Sequence, residues 1–335
     1  MNDYAKERRR TAMSLTALVV SALTIIPTLS QAQSKDAYPS RPITLVVPSE
    51  AGGATDIVAR ALAQHLSKSL GKETIVDNRP GASGAIGATY VARSAPDGYT
   101  LLVGPGTVMV VNPLVSKTQY DSTRDFRPVG LLVGAELVFV TNPATGFKTL
   151  GDAIQYAKNN PGKLNYASSG PGSSFHLATE LLQDRTGIEM VHVPYKGGAS
   201  TEMAMFSGDI DLMLANTAYV LNHIRAGRMV ALAVASPGKS SELPDVPSAS
   251  ETVPGYETNT WVGLYAPAGT SDEIIAKLNA SINAYLRDPK EAASMRAKGL
   301  DPLPGTPADA VSFQNQERDK WGRVVSLVRA KGRLN

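Results

Sequence analysis

From Tyr38 onward the chain alternates short, β-branched apolar runs with stretches in which apolar residues recur at helical spacing. The run Ile43-Thr44-Leu45-Val46-Val47 predicts a buried strand. Val58, Leu62, Leu66 and Leu70, spaced by four beside Ala61, predict one face of a helix from about Thr55, which Gly71 ends as a C-cap. Residues 74–77 predict the next strand, the glycine-rich stretch from Asn78 to Gly87 opens a helix to Ser94, and residues 99–103 predict a third strand. A second series starts with residues 131–142, with strands near 137–141, 164–167, 190–193, 210–214 and 230–235 and helices in the gaps. A proline-rich stretch, 243–254, breaks the alternation. Residues 261–266 resume it as a strand, followed by helices over 271–287, 289–298 and 307–329. Strand and helix in alternation predict an α/β fold with parallel-rich sheets flanked by helices. The chain is expected to leave a first lobe near Glu136 and return near Thr258, which makes residues 38–136 and 258–335 one discontinuous lobe and residues 137–257 the other. Such a plan places a ligand between lobes.

The first 32 residues stand apart. They carry Arg8-Arg9-Arg10, an apolar stretch from Ala12 to Ile26, Pro27, and then Ser30-Gln31-Ala32. A basic segment, an apolar core and small residues in that order form an export signal, and the apolar stretch falls short of the roughly 20 residues that span a bilayer. Cleavage is expected near Ala32, leaving the mature protein in the periplasm. The arginine pair raises a twin-arginine route, although Thr11-Ala12-Met13 lacks the rest of that pattern. Removing residues 1–32 takes four basic residues (Lys6, Arg8, Arg9, Arg10) and two acidic ones (Asp3, Glu7), leaving 29 against 28 and a net charge of +1. A nearly neutral chain with scattered Lys and Arg excludes nucleic acid as a partner. The chain has no cysteine, so it has no disulfide framework, thiolate nucleophile, cysteine metal site or lipidated N-terminal cysteine. The expected mature form is a freely diffusing monomer.

Two matching corners carry the chemistry. Pro48-Ser49-Glu50-Ala51-Gly52-Gly53-Ala54-Thr55-Asp56 and Ala167-Ser168-Ser169-Gly170-Pro171-Gly172-Ser173-Ser174 each follow an apolar run and open an amphipathic helix. The first N–H groups of a helix have no intrahelical partner and carry partial positive charge, so each corner is a ready site for an anion. The candidate ligand-binding residues are Ser49, Gly53, Ala54, Thr55 and Asp56 at the first corner and Ser168, Gly172, Ser173, Ser174 and His176 at the second. Ser173 or Ser174 is placed to cap the helix or to donate to a carboxylate, and His176, three residues after Ser173, falls in the first turn near any anion held there. An acidic residue at Asp56 is also favoured by the helix dipole alone. A third corner, Val193-Pro194-Tyr195-Lys196-Gly197-Gly198, adds Gly198, with Lys196 as a charge for a ligand acid.

Catalysis requires a nucleophile with a base, or metal ligands at workable spacing. His65, His192 and His223 fall on a helix flank, inside a strand and near a helix end, where a histidine packs or meets solvent. No H-E-x-x-H, G-x-S-x-G or Walker pattern is present. Two S-x-x-K matches, at Ser69 and Ser236, lack companion motifs, and Gly81, Gly84 and Gly87 have the wrong spacing for a dinucleotide loop. The chain is therefore read as a binding protein and not an enzyme, with no cofactor and no metal.

Several stretches, in order, resemble the solute-binding proteins of tripartite tricarboxylate transporters, the Bug family, over nearly all of residues 38–330. They are Tyr38-Pro39-Ser40-Arg41-Pro42-Ile43, the first corner, Asn78-Arg79-Pro80-Gly81, Ala95-Pro96-Asp97-Gly98-Tyr99-Thr100-Leu101, Val193 to Gly198, and Trp261 to Thr270. The resemblance implies a two-lobed periplasmic binding protein of the type II, Venus-flytrap kind, which captures a small carboxylate and delivers it to membrane permease subunits. It also implies that the first two corners grip carboxylate groups, partly through ordered waters. Two positions depart from the family pattern: Glu50 stands where an apolar residue or proline is usual, and Ala215, a further candidate, stands where an aspartate is common. A sensor subunit presenting ligand to a membrane kinase would share the same lobes, and a periplasmic hydrolase is the reading from another class.

Overall fold

The computed structural model describes residues 38–195, 198–236 and 238–334; the export segment 1–32 and Lys196 lie outside them. The chain begins with β1 (Ile43–Val47), α1 (Ala54–Leu70), β2 (Thr74–Asn78), α2 (Ala85–Ala92) and β3 (Thr100–Pro105), followed by one wide helical turn, Thr107–Val111, and α3 (Asn112–Val115). Next come β4 (Phe126–Ala135), β5 (Leu137–Thr141), α4 (Leu150–Asn159), β6 (Asn165–Ser168), α5 (Ser174–Thr186), β7 (Val191–Pro194), α6 (Gly198–Ser207), β8 (Leu212–Asn216), α7 (Thr217–Arg225), β9 (Val230–Val234) and α8 (Ala249–Thr252). The last part holds β10 (Thr260–Pro267), α9 (Asp272–Arg287), α10 (Pro289–Arg296), β11 (Leu300–Pro302) and α11 (Pro307–Ala330).

These strands build two sheets, one for each lobe. The first has the order β11-β4-β10-β3-β1-β2 and the second β7-β6-β8-β5-β9. Apolar runs sit where a strand has neighbours on both sides: Ile43, Leu45, Val46 and Val47 of β1 are fully buried between β2 and β3. The spacing of Val58, Leu62 and Leu66 turns one stripe of α1 inward with Ala59 and Ala63, and Gly71 ends the helix at φ +70°. Both sheets are mixed. β1 runs parallel to β2 and β3, and β6 to β7 and β8, whereas β10 is antiparallel to β3 and β4, and β5 to β8 and β9. Parallel neighbours need a helical crossover between them, and a strand entering directly from the other lobe does not.

The stretch 131–142 shows how this happens. It reads as one element in the sequence, but the structure divides it. β4 ends the first sheet's contribution at Ala135, β5 opens the second at Leu137, and Glu136 alone joins them. The carboxylate of Glu136 accepts hydrogen bonds from three hydroxyls of the second lobe: Thr217 Oγ1 (2.9 Å), Ser240 Oγ (2.7 Å) and Ser236 Oγ (3.2 Å). Its carbonyl accepts the Thr217 N–H at 3.0 Å. The returning strand lies beside it, because Ala235 donates to the Leu137 carbonyl (2.7 Å) and accepts from the Thr258 N–H (2.9 Å).

The C-terminal helix adds a third link. Arg329 donates to the carbonyls of Leu114 and Val115, while beyond the helix Arg333 pairs with Glu180 of α5 at 3.0 Å. Glu180 is buried and also accepts from Tyr166 Oη (2.7 Å) and Gln183 Nε2 (2.5 Å), so this ion pair is fully bonded.

The clasp at Glu136 has a measurable consequence. Glu136→Ala leaves three hydroxyls without their acceptor and should lower unfolding stability by about 1–3 kcal/mol, with Glu136→Gln, which keeps one oxygen acceptor, losing less. Urea unfolding checks this. A midpoint in Glu136→Ala equal to that of the parent would show that the clasp carries no stability.

Candidate functional site

The first corner is held open by its own side chains. Gly52 adopts φ +85°, a backbone state that a side chain would strain, and Gly53 stands at the N-cap of α1 without a side chain to satisfy the helix. The N–H groups of Ala54 and Thr55 consequently have no partner within the helix. Asp56, expected among the binding residues, is bonded within the corner. It is 2 % exposed, and its carboxylate accepts from the Gly52 N–H (2.8 Å), Arg60 Nε (2.9 Å) and Asn78 Nδ2 (3.0 Å). The Arg60 hydrogen bond, with help from Gly52 and Asn78 and against the cost of burial, holds its pKa at about 2, below the ordinary 3.8. Asp56 therefore ties the corner to the helix and stays ionised. The Ser49 carbonyl accepts from Asn78 Nδ2 (3.1 Å), and its hydroxyl is buried with no partner among the described residues.

The second corner uses more of its donors internally. Gly170 and Gly172 have φ +115° and +75°. Ser173 caps α5 by accepting the His176 N–H at 3.2 Å, and the Gly172 N–H donates to His176 Nδ1 at 3.1 Å. Gly172, Ser173 and His176 thus share bonds within the corner, while the buried His176 Nε2 has no partner among the described residues. His176 is 1 % exposed, and burial depresses its pKa. Its ring stacks on His192 at 4.2 Å, which in turn stacks on Tyr166 at 5.0 Å. The N–H groups of Ser174 and Phe175 remain without a partner inside the helix.

Ser168 lies 2.6 Å from His192 Nε2, the spacing of a nucleophile and its base. Ser168 Oγ also lies 3.2 Å from the Gly170 carbonyl and accepts the Gly170 N–H (3.0 Å), so either the carbonyl or the imidazole can take its proton, according to the His192 tautomer. Burial, reinforced by the neighbouring His176, pushes the pKa of His192 down to about 4, which makes it a weak base.

The corners meet at a cavity of about 600 Å³ between the two sheets. Gly53, Ala54 and Thr55 line it from one lobe and Ser174 from the other, although they are far apart in the sequence. Ser168 and Ala215 line an adjoining cavity of about 240 Å³, which shares Phe175, Asn216 and Tyr219 with the larger one. Glu50 is exposed and lies outside both walls among the described residues. Gly198 opens α6, but Lys196 and Gly197 beside it lie outside the described residues.

Sequence reasoning missed much of the wall: Ile57, Thr107, Phe175, Asn216, Tyr219 and Trp261. The available signal was position, since Thr107, Asn216, Tyr219 and Trp261 sit within a few residues of a strand end and Ile57 and Phe175 in the first turns of the two corner helices. Asn216 Oδ1 accepts from Thr260 Oγ1 at 3.2 Å, joining the two sheets below the cavity. The carboxylate of Glu317 accepts both Trp261 Nε1 and Trp321 Nε1 at 3.0 Å, and its other oxygen pairs with Lys320. This buried acid is therefore fully occupied.

Comparison with known proteins agrees with this architecture. Residues 58–329 match the family described as "Tripartite tricarboxylate transporter family receptor". Protein BugT of Bordetella pertussis is 38% identical over 301 residues, covering 89% of this chain and 92% of BugT. Among solved structures, R. palustris Rpa4515 with adipate superposes with a TM-score of 0.78 at 35% identity, covering 86% of this chain and 97% of that one. MatC (Rpa3494) from Rhodopseudomonas palustris with bound malate gives 0.74 at 31% identity, covering 86% and 100%.

The depressed pKa of Asp56 makes a pH-dependent prediction. Its contribution to stability is complete above the ordinary value of 3.8 and is lost as pH falls toward about 2. Arg60 is 54% exposed and solvent screens its part, so Asp56→Ala should cost about 1–2 kcal/mol at neutral pH. The gap between the two proteins should close between about pH 4 and pH 2. Denaturant unfolding across that range measures it, and a gap independent of pH would mean that charge on Asp56 is not the cause.

Proposed function

Since the chain belongs to the tripartite tricarboxylate transporter receptor family, a family of periplasmic carboxylate-binding proteins, we propose that its two lobes close on one small carboxylate and pass it to the permease subunits of such a transporter. The lobes are residues 38–136 with 258–335, and residues 137–257. They rotate about the adjacent crossings at Glu136 and Thr258, where single residues absorb the change in backbone angle. The observation that carries this reading is the meeting of two helix starts at one cavity. Gly53, Ala54 and Thr55 face it from α1 and Ser174 from α5, each with helix N–H groups that lack an internal partner. The buried acid on the wall, Glu317, spends its charge on two indoles and Lys320 and does not repel an anion. Relatives solved with adipate and malate support the same ligand class.

Binding proceeds without turnover in this reading, because His192, the imidazole beside Ser168, is a weak base. Delivery to a permease requires the protein outside the inner membrane, which the export signal provides by cleavage near Ala32. Mass spectrometry of exported protein should show a chain lacking residues 1–32, and an intact N-terminus would refute the cleavage.

Titration calorimetry with small mono- and dicarboxylates tests the site. Ser174→Leu removes a hydroxyl and crowds the second helix start, so it should weaken acid binding by about 1–3 kcal/mol, the range for a hydrogen bond to a charged group. Ser174 is only half-buried and makes no cap, so unfolding stability should change less. Unchanged affinity in this variant would remove the second corner from the carboxylate site.

A further inference from the structure

The wall of the 600 Å³ cavity says more than that an acid binds there. Each helix that starts at this cavity presents an apolar side chain within its first turn: Ile57 on α1, Phe175 on α5 and Tyr219 on α7. Ile57 is 45% exposed and Tyr219 is 46% exposed, and they belong to opposite lobes. A large apolar side chain left in water on both sides of one cavity is stabilised when something apolar fills the space between.

The polar atoms of the aromatic residues are already engaged away from the cavity. Both indole N–H groups of Trp261 and Trp321 are bound by Glu317, and the Tyr219 hydroxyl faces the Glu202 carboxylate. Trp261 is fixed further by Phe313, edge-on at 5.3 Å, and by Gly106, where an added Cβ would fall 2.7 Å from the indole. Asn216 and Thr260 are hydrogen-bonded to each other. Thr107, Asn259 and Lys298 add polar groups to the wall away from the two corners, while Ile57, Phe175 and Tyr219 present carbon to the space between the helix starts.

We propose that this site selects acids whose carbon body carries no hydroxyl or amino groups, either straight-chain or aromatic, and that Ile57, Phe175 and Tyr219 determine this specificity. The inference rests on the carboxylate reading and narrows it. A hydroxyl or ammonium group set against Ile57, Phe175 or Tyr219 would lose water without gaining a partner there, and that loss is the basis of rejection.

Hexanedioate, its tetrahydroxy derivative galactarate and its amino derivative 2-aminohexanedioate share one carbon skeleton and two carboxylates, so they isolate the body from the acid groups. Calorimetry should show hexanedioate binding at least about tenfold more tightly than either derivative. In Ile57→Asn/Tyr219→Asn the preference should shrink toward equality. Both side chains are half exposed, so the fold should persist, and thermal unfolding without ligand verifies this. Galactarate or 2-aminohexanedioate binding as tightly as hexanedioate overturns the inference and leaves the carboxylate reading standing. Failure of all three, together with hexanoate and benzoate, overturns the carboxylate reading itself.

Discussion

A helix that begins at the end of a strand leaves its first N–H groups without partners, and the architecture of this protein follows from where it spends them. At α1 the N-cap is a glycine, so no side chain competes for the donors, and Asp56 reaches back to Gly52 instead of forward to the cavity. At α5 the Ser173 hydroxyl and the His176 ring each take part in one internal bond, which leaves Ser174 and Phe175 at the opening. Buried backbone donors are costly unless satisfied, so helix starts turned toward an enclosed space favour an anion there. Neither corner supplies a full positive charge. Recognition by amides fits an acid group while leaving the rest of the ligand to be read by the walls.

The two sheets bring the corners together through very little chain. One residue, Glu136, carries the outgoing crossing, and the return passes beside it through Ala235 and Thr258. The clasp on Glu136 consists of three hydroxyls, all from the second lobe, so the carboxylate moves with that lobe while β4 stays with the first. The C-terminal helix spans the same division, bonded by Arg329 on one side and Arg333 on the other. Closure of the cleft must therefore bend at the crossings and accommodate this outer link, which limits the path the lobes can take.

Much of this was legible in the sequence, and the reasons are local. Hydrophobic spacing in α1, the glycine at its C-cap, the all-apolar β1 and the two glycine-bearing turns are short-range signals that tertiary packing did not override. The crossing near Glu136 was visible as the point where the chain leaves one lobe, but the neighbours each strand finds there were not, because residues 131–142 are apolar on both sides of it and periodicity does not set strand order. For the site, the reading found the corners and left the roles of several side chains open. Asp56, Ser173 and His176 are polar and close to the helix starts, yet each is turned onto the corner and satisfies its own backbone.

The sequence by itself determined the elements, the absence of cysteine chemistry and the two helix starts, because each depends on residues adjacent in the chain or separated by one helical turn. The tertiary structure alone decided which residues face the ligand space. Tyr219, Trp261 and Ile57 come from three distant segments, and their common wall exists only once β8, β10 and α1 are placed around one cavity. It also decided that Glu317 is bonded by two indoles and a lysine, and that Ser168 and His192 lie in contact. Burial and hydrogen-bond partners set the chemistry of these groups, and both are properties of the folded neighbourhood that no spacing along the chain encodes.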